Sequence, residues 1–307
     1  FIPVRAHITL GVARYYNEIY NQSWNTQLPY WTYLPGLGNT RRLTSYMFSG
    51  QNFALSFLIL MPVMVYNCRA RLTKWSGLIL AAGATALLLS ITRATIVVCA
   101  LQAVIVLWMT GAKRTVLYAG YALVWVILVA LVVSPNLRNY VVGTLTFTEA
   151  SAATRPQQWM NGIASTIEMP FGYGIGSTGL SSSRLGVRVA AVEGSETAYL
   201  KITGALGIPG LLLWLAWFTG IILASLLVAR RTSGLKRGVA IITVAIAVGF
   251  MLNNFTAPPD QSLFVIYVFP WMAGVVVRWA AQGTAPALHT PSAQWTSPTS
   301  GLQTEGA

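Results

Sequence analysis

Residues 154–179 read TRPQQWMNGIASTIEMPFGYGIGSTG and form the one long polar interval between the apolar blocks of the chain. Thr154 as an N-cap and Pro156 in the first turn predict the start of a helix, and Pro170 predicts its end. Arg155 adds a positive charge where the unpaired N–H groups of a helix N-terminus already attract anions. The interval therefore predicts an amphipathic helix whose first turn binds an anion.

Three apolar side chains, Trp159, Ile163 and Ile167, recur at i, i+4 and i+8 of this helix. Such a stripe lies either on a membrane surface or on neighbouring helices. The helix either binds a ligand, with Trp159 covering an isoprenoid or sugar face, or is an ordinary surface helix. The glycines of residues 174–179 match GxGxxG, but no strand precedes them and no βαβ unit fits, so we predict a turn.

The composition predicts an all-α, polytopic membrane protein. Hydrophobic residues make up 55% of the chain, charged residues 9%, and the mean hydropathy is +0.59. The net charge is +13, and the basic residues lie between apolar blocks, where contact with the lipid bilayer explains them. No basic stripe with interleaved aromatic residues appears, so we expect no nucleic-acid partner. Cys68 and Cys99 imply no disulfide and no metal site.

The apolar blocks predict seven transmembrane spans: residues 53–66, 75–109 as two spans broken at 90–93, 116–133, 206–228, 239–255 and 263–279. The loops 68–74, 111–114 and 229–238 contain three, two and four basic residues, which predicts that they are cytoplasmic. Residues 1–50 are rich in Tyr, Trp and Asn, and we expect them to lie at the membrane interface. The Thr-, Pro-, Ala-, Gly- and Ser-rich composition of residues 282–307 predicts a disordered cytoplasmic tail. Because the sequence begins with Phe1, we expect a fragment with further spans upstream.

Three charged side chains on the extracytoplasmic side are candidates for chemistry. Arg93 lies between two spans, where it either binds a diphosphate or snorkels at a helix end. Glu193 and Glu196 offer a carboxylate that either acts as general base or forms a salt bridge that orients arginines. Glu196 is favoured because it leads directly into the next span, whereas Asp260 is better explained as a turn residue.

Four sequence blocks in order carry a resemblance to a known family: RRLTSYMFSGQN, SITRAT, TRPQQW with MPFGYGIGS, and SETAYLKITGALGIPGLL. Over roughly residues 41–228 the chain resembles the O-antigen ligase and polymerase superfamily of bacterial inner-membrane glycosyltransferases. The apolar and charged blocks divide the chain into a periplasmic or interfacial segment 1–50, four spans in 51–133, a periplasmic loop 134–198, three spans in 199–281 and the tail 282–307. The resemblance implies that the loop is catalytic.

The resemblance implies a metal-independent transfer, without a cofactor, of a glycan from an undecaprenyl-diphosphate carrier to an acceptor hydroxyl at the periplasmic face. By this analogy Arg93 and Arg155 bind the diphosphate and Glu196 is the acceptor base. Residues expected to bind substrate are Arg41, Arg42, Asn52, Trp159, Arg184, Arg188 and Tyr199.

The resemblance leaves the acceptor open between a growing glycan, as in a polymerase, and lipid A-core, as in a ligase. Ligases of this family typically carry a His-Asn pair where this chain has Glu196-Thr197, which favours a polymerase. A third hypothesis, a transporter of lipid-linked glycan, predicts acidic or broken helices near the membrane midplane, and the sequence pattern shows none.

Overall fold

The computed structural model describes residues 31–34, 38–41, 50–71, 73–114, 155–178, 197–256 and 263–284, with isolated positions between 116 and 146. Within them a two-stranded antiparallel hairpin, β1 (Trp31–Leu34) and β2 (Gly38–Arg41), precedes the helices. The helices are α1 (Gly50–Ala70), α2 (Lys74–Leu89), α3 (Arg93–Met109), α4 (Arg155–Glu168), α5 (Ala198–Arg231), α6 (Gly234–Asn253) and α7 (Leu263–Thr284). The fold is helical as predicted, apart from the hairpin, which the sequence analysis did not predict.

The long apolar block of residues 75–109 is broken into α2 and α3, as predicted. The Ser90 hydroxyl donates to the Leu87 carbonyl at 2.6 Å, and Ile91 adopts a φ of 53°. A β-branched residue in the left-handed region cannot continue a helix. The chain therefore reverses at residues 90–92, and Arg93 becomes the first residue of α3.

Helix α3 is joined to two neighbours through Gln102, which is fully buried in the middle of the bundle. The Gln102 Nε2 group donates to the Leu58 carbonyl of α1 at 2.9 Å and to the Ala245 carbonyl of α6 at 3.1 Å. A Cβ atom on Gly249 would overlap the Gln102 amide, so a glycine is needed where the side chain crosses α6. Polar groups in an apolar interior must be paired, which fixes how these helices align.

Aromatic rings join α5, α6 and α7. Phe269 of α7 stacks on Phe218 of α5 with centroids 5.7 Å apart and meets Phe250 of α6 edge-on at 4.8 Å. Trp217 packs edge-on against Phe218 at 4.9 Å. These rings form the core on the side of α6 away from Gln102.

Contacts at the beginning of α6 show that the predicted cytoplasmic loops share one end of the bundle. Arg237 Nη2 approaches the Met109 carbonyl at the end of α3 at 3.5 Å, and the Tyr66 ring near the end of α1 lies against Gly238. Lys236 Nζ lies 5.8 Å from the centre of the Trp279 ring of α7. Helices α1, α3 and α7 thus run antiparallel to α6, in agreement with the alternation that the charges predict.

Three helices of the described part are long and apolar enough to cross a membrane: Gln51–Ala70, Ala198–Arg231 and Gly234–Asn253. The shorter helices α2 and α3 are also apolar. Large apolar side chains such as Trp75, Leu213 and Trp271 are exposed on the outside of the bundle, which suits a lipid environment. The count of seven spans and the division of the chain stay predictions, because most of residues 115–154 lies outside the described residues.

Helix α5 is interrupted at Gly207, which has φ 68° and ψ −165° and is followed by Pro209. The sequence analysis predicted no broken helix, although it placed the start of this span at residue 206. The break exposes backbone groups that residues 170–174 satisfy. Pro170 accepts from the Ile208 N–H at 2.8 Å, Tyr173 N–H donates to the Gly204 carbonyl at 2.7 Å, and Gly174 N–H donates to the Ala205 carbonyl at 3.1 Å.

Two glycines make this contact possible. A Cβ atom on Gly207 would overlap the Pro170 carbonyl oxygen, and one on Gly172 would lie 2.5 Å from the Gly207 nitrogen. Both residues also have positive φ angles, 68° and 79°. The segment after α4 therefore touches α5 backbone to backbone.

Replacing Gly207 with alanine is expected to destabilise the folded protein by at least about 2 kcal/mol, because a left-handed non-glycine residue is strained and the new methyl group strikes backbone. Thermal unfolding in detergent measures this change. Gly220→Ala in the same helix is the matched control, since nothing lies within 4 Å of its Cβ position. Equal melting temperatures for the two variants would contradict this account of the break.

Candidate functional site

Polar side chains converge at the end of the bundle where α3 and α5 begin and α6 ends, which we call the loop end. The Thr95 hydroxyl of α3 lies 3.2 Å from Asn253 Oδ1 of α6, and the Ala198 N–H of α5 donates to the Asn254 carbonyl at 3.0 Å. Thr95, Asn253 and Asn254 are fully buried. The C-terminus of α6 is thus held between the N-termini of α3 and α5.

Helix α4 docks on the first turns of α5. Gly162 faces Leu200 so closely that a Cβ atom would meet the leucine side chain at 2.6 Å. The buried Ser165 hydroxyl donates to the Tyr173 hydroxyl at 3.1 Å, and the Thr178 hydroxyl donates to the Lys201 carbonyl at 3.2 Å. The later part of the interval 154–179 is therefore fixed to the first turns of α5.

Trp159 connects α4 to the end of α6. Its ring stacks on Phe255 with centroids 5.9 Å apart, and Tyr199 of α5 lies 4.6 Å from the same Phe255 ring. The Tyr199 hydroxyl donates to the Met251 carbonyl at 2.7 Å. Three aromatic side chains from three elements thus form one wall at the loop end, with Phe255 half exposed.

The predicted apolar stripe of α4 is divided between two environments. Trp159 packs on Phe255, whereas Ile163 and Ile167 are exposed. The side of the helix that faces the protein carries Gly162 and Ser165 instead, since these are its buried residues. The prediction of an amphipathic helix over this stretch is confirmed, with bounds of Arg155–Glu168, and Thr154 lies outside the described residues.

Of the helices that begin at or beside the loop end, α3, α4 and α5 supply candidate residues, and two of these three begin with arginine: Arg93 opens α3 and Arg155 opens α4. Helix α5 is capped by Thr197, whose hydroxyl accepts from the Leu200 N–H at 3.3 Å. None of the three has an acidic residue in its first turn. Helix N-termini and guanidinium groups both attract anions, so the positive potential of this end suits a phosphate-bearing ligand.

The Asn254 side chain is a buried polar group at this end whose amide atoms have no hydrogen-bond partner. It is fully buried, and neither its Oδ1 nor its Nδ2 atom has a hydrogen-bond partner. Burying an amide without partners costs roughly 1–3 kcal/mol. Its neighbour Asn253, equally buried, is paired with Thr95. The Asn254 side chain therefore destabilises the fold at a position beside the aromatic wall.

Several predicted site residues lie in described elements. Arg93 is exposed and Arg155 half-buried, while Trp159 and Tyr199 meet at Phe255. Asn52 lies half-buried in the first turn of α1, and Arg41 closes β2 opposite Trp31. Outside the described residues lie Arg42, Arg184, Arg188, Glu193, Glu196 and Asp260. Glu196 directly precedes the cap residue Thr197 in the sequence. Because Glu196 lies outside the described residues, its role stays a prediction.

Sequence reasoning missed Phe255 and the pair Asn253-Asn254. The available signal was the run MLNNF at the end of an apolar block, since two adjacent amides inside a predicted span point to a polar site. No group of three or more potential metal ligands is found among the residues that the structure describes.

Comparison with known families finds a match that covers part of these elements. Residues 77–215 match the family model described as O-Antigen ligase. The match confirms the resemblance to the O-antigen ligase and polymerase superfamily. No curated protein matches the chain significantly.

The O-antigen ligase match extends from α2 through α4 to Leu215 of α5. It contains Arg93, Arg155 and the Gly207 break, and three of the four sequence blocks that carried the resemblance. The block RRLTSYMFSGQN and the residues Asn254 and Phe255 lie outside the matched range. Members of this family are enzymes of the glycosyltransferase type, and the match supports a function of the O-antigen ligase or polymerase type.

Replacing Asn254 with leucine is expected to leave the melting temperature in detergent unchanged or to raise it, because an unpaired buried amide is exchanged for an apolar group of similar size. Asn253→Leu is the control. It removes the partner of the Thr95 hydroxyl and should destabilise the protein by about 1 kcal/mol or more. Equal destabilisation by both substitutions would show that the Asn254 amide is paired.

Proposed function

We propose that this protein transfers a glycan from an undecaprenyl-diphosphate carrier to an acceptor hydroxyl at the periplasmic face of the bacterial inner membrane, and that it is a surface polysaccharide polymerase. The observation that carries the proposal is the convergence of helix N-termini at the loop end, with Arg93 and Arg155 as first residues, inside the range matched by the O-antigen ligase family. A diphosphate on a membrane lipid is the anion that this arrangement would meet.

The reaction assigns a separate role to each proposed residue. The acceptor oxygen attacks the anomeric carbon and its proton passes to the Glu196 carboxylate, while the bond from that carbon to the diphosphate oxygen breaks. Attack from the face opposite the leaving group inverts the anomeric configuration. The leaving diphosphate gains negative charge, which Arg93 and Arg155 stabilise more strongly than they stabilise the starting ester. No metal ion takes part in this scheme.

The other proposed ligands surround this centre. Trp159, with Phe255 and Tyr199 behind it, supplies an apolar face for a sugar ring or an isoprene unit. Because the Tyr199 hydroxyl donates a hydrogen bond to the Met251 carbonyl, we propose that Tyr199 contributes to substrate binding through its ring. Arg41, Arg42, Asn52, Arg184 and Arg188 are proposed as further contacts to carrier or glycan.

Variants at the three proposed catalytic positions separate this scheme from a structural role. Arg93→Ala and Arg155→Ala should each slow transfer by purified protein on carrier-linked repeats about 100-fold to 1,000-fold, the usual loss for one charge-stabilising donor. Glu196→Gln should slow it about 100-fold or more through loss of the base. Arg114→Ala, an exposed arginine in the opposite loop, is the control. Wild-type rates in all three variants would overturn the assignment.

O-antigen ligase is the second candidate, favoured by the match to the O-antigen ligase family. A polymerase and a ligase differ in the glycan that a deletion strain displays. Loss of a polymerase should leave single repeat units attached to lipid A-core, whereas loss of a ligase should leave none. A gel of the surface glycan distinguishes them, and we expect single units. Bare core in the deletion strain would assign the ligase instead.

A further inference from the structure

An exposed apolar surface runs along α4 and continues into the turn that follows it. We define the α4 apolar surface as Met160, Ile163, Ile167, Met169, Phe171 and Ile175. Ile167 is 74% exposed, Phe171 81% and Ile175 88%. Side chains of this size and exposure in one continuous patch indicate a surface that another apolar phase covers.

Helix α4 has three distinct faces rather than two. Trp159, Gly162 and Ser165 face the protein, while Ile163 and Ile167 lie on one flank. At 3.6 residues per turn the opposite flank carries Gln157, Asn161 and Glu168. Gln157 and Asn161 are exposed and bonded to each other at 2.7 Å. A helix held sideways against a protein, with an apolar flank and a polar flank, is suited to a boundary between lipid and water.

The break in α5 indicates the depth at which this boundary lies. After Gly207, residues 208–231 are about 36 Å long, which is enough to cross a hydrocarbon core of about 30 Å. The first turns of α5 therefore extend beyond the core, and the break lies where the helix enters it. The turn that carries Phe171 is bonded to this break through the Pro170 carbonyl and Ile208 N–H.

The exposed surface of α5 next to the Gly207 break is also apolar. Leu206 and Ile208, on either side of the break, are exposed and adjoin the turn bonded to it. Farther along, Leu212 and Leu213 continue this exposed apolar surface into the part of α5 that can cross the membrane. The α4 apolar surface is thus continuous with the lipid-facing side of a candidate span.

From these observations we propose that the α4 apolar surface is inserted into the outer boundary of the lipid bilayer, with Gln157 and Asn161 facing water. The occupant of this surface is the acyl-chain region just beneath the headgroups. Insertion holds the N-terminus of α4, and with it Arg155, at headgroup level. This inference does not depend on the proposed reaction, since it follows from the exposed side chains and the position of the break alone.

Spin labels at Ile167→Cys and Phe171→Cys, in a Cys68→Ser background and in phosphatidylcholine–phosphatidylglycerol vesicles, test the proposal. Cys99 is fully buried and can remain. Both labels should collide with dissolved oxygen several-fold more readily than with a water-soluble nickel chelate. A label at Asn161→Cys on the polar flank is the matched control and should show the reverse preference. Each variant is used only if its melting temperature matches that of the Cys68→Ser protein.

Two results would overturn the proposal. Nickel access at residues 167 and 171 equal to that at residue 161 would place this surface in water. Exclusion of both reagents, together with coupling between labels on different copies, would assign the surface to self-association. On the unmodified chain, hydroxyl-radical oxidation of Met160 and Met169 in vesicles provides a check without substitutions. We expect rates at least about tenfold below those of the unfolded chain, and full reactivity would count against insertion.

Discussion

The break in α5 at Gly207 is the constraint on which the loop end depends. A helix that continued through residues 204–208 would keep its own hydrogen bonds, and these backbone groups would not bind the segment after α4. Because Pro209 lacks an N–H and Gly207 adopts a left-handed φ, the carbonyls of Gly204 and Ala205 and the Ile208 N–H turn outward. Residues 170–174 satisfy all three groups. The segment after α4 is thereby attached to the bundle mainly through backbone hydrogen bonds.

Once that segment is attached, α4 has little freedom to take another position. Gly162 allows close contact with Leu200, and Trp159 reaches Phe255 at the far side of α5. Helix α6 is fixed independently by Gln102 in its middle and by the Thr95–Asn253 contact at its end. The aromatic wall therefore joins two rigid parts, which is the kind of support that a site needs to hold a ligand in a defined position.

The sequence predicted what depends on neighbouring residues and missed what depends on distant ones. The break at residues 90–92, the bounds of α4 and the glycine turn follow from caps, prolines and glycines within a few positions, and the structure has each of them. The contact between Trp159 and Phe255 joins residues far apart in the chain, and no local pattern encodes it. The helical segment before the break, residues 198–206, was also missed, because hydropathy ends at the glycines while helical structure extends back to Ala198. The hairpin of β1 and β2 was not predicted, because aromatic residues near a membrane are as typical of an interfacial segment as of β-strands.

The two ends of the bundle use positive charge for different purposes. At the beginning of α6, Lys236 and Arg237 contact Trp279 and the Met109 carbonyl, and lysines and arginines there agree with the predicted cytoplasmic side of the membrane. Arginines at the loop end lie on the side that the charge rule predicts to be extracytoplasmic, so the predicted topology does not account for Arg93 or Arg155. Their placement as the first residues of helices adds a fixed dipole to each guanidinium. A charge arrangement that the predicted topology does not require, and that backbone dipoles reinforce, supports the proposal that an anion binds there.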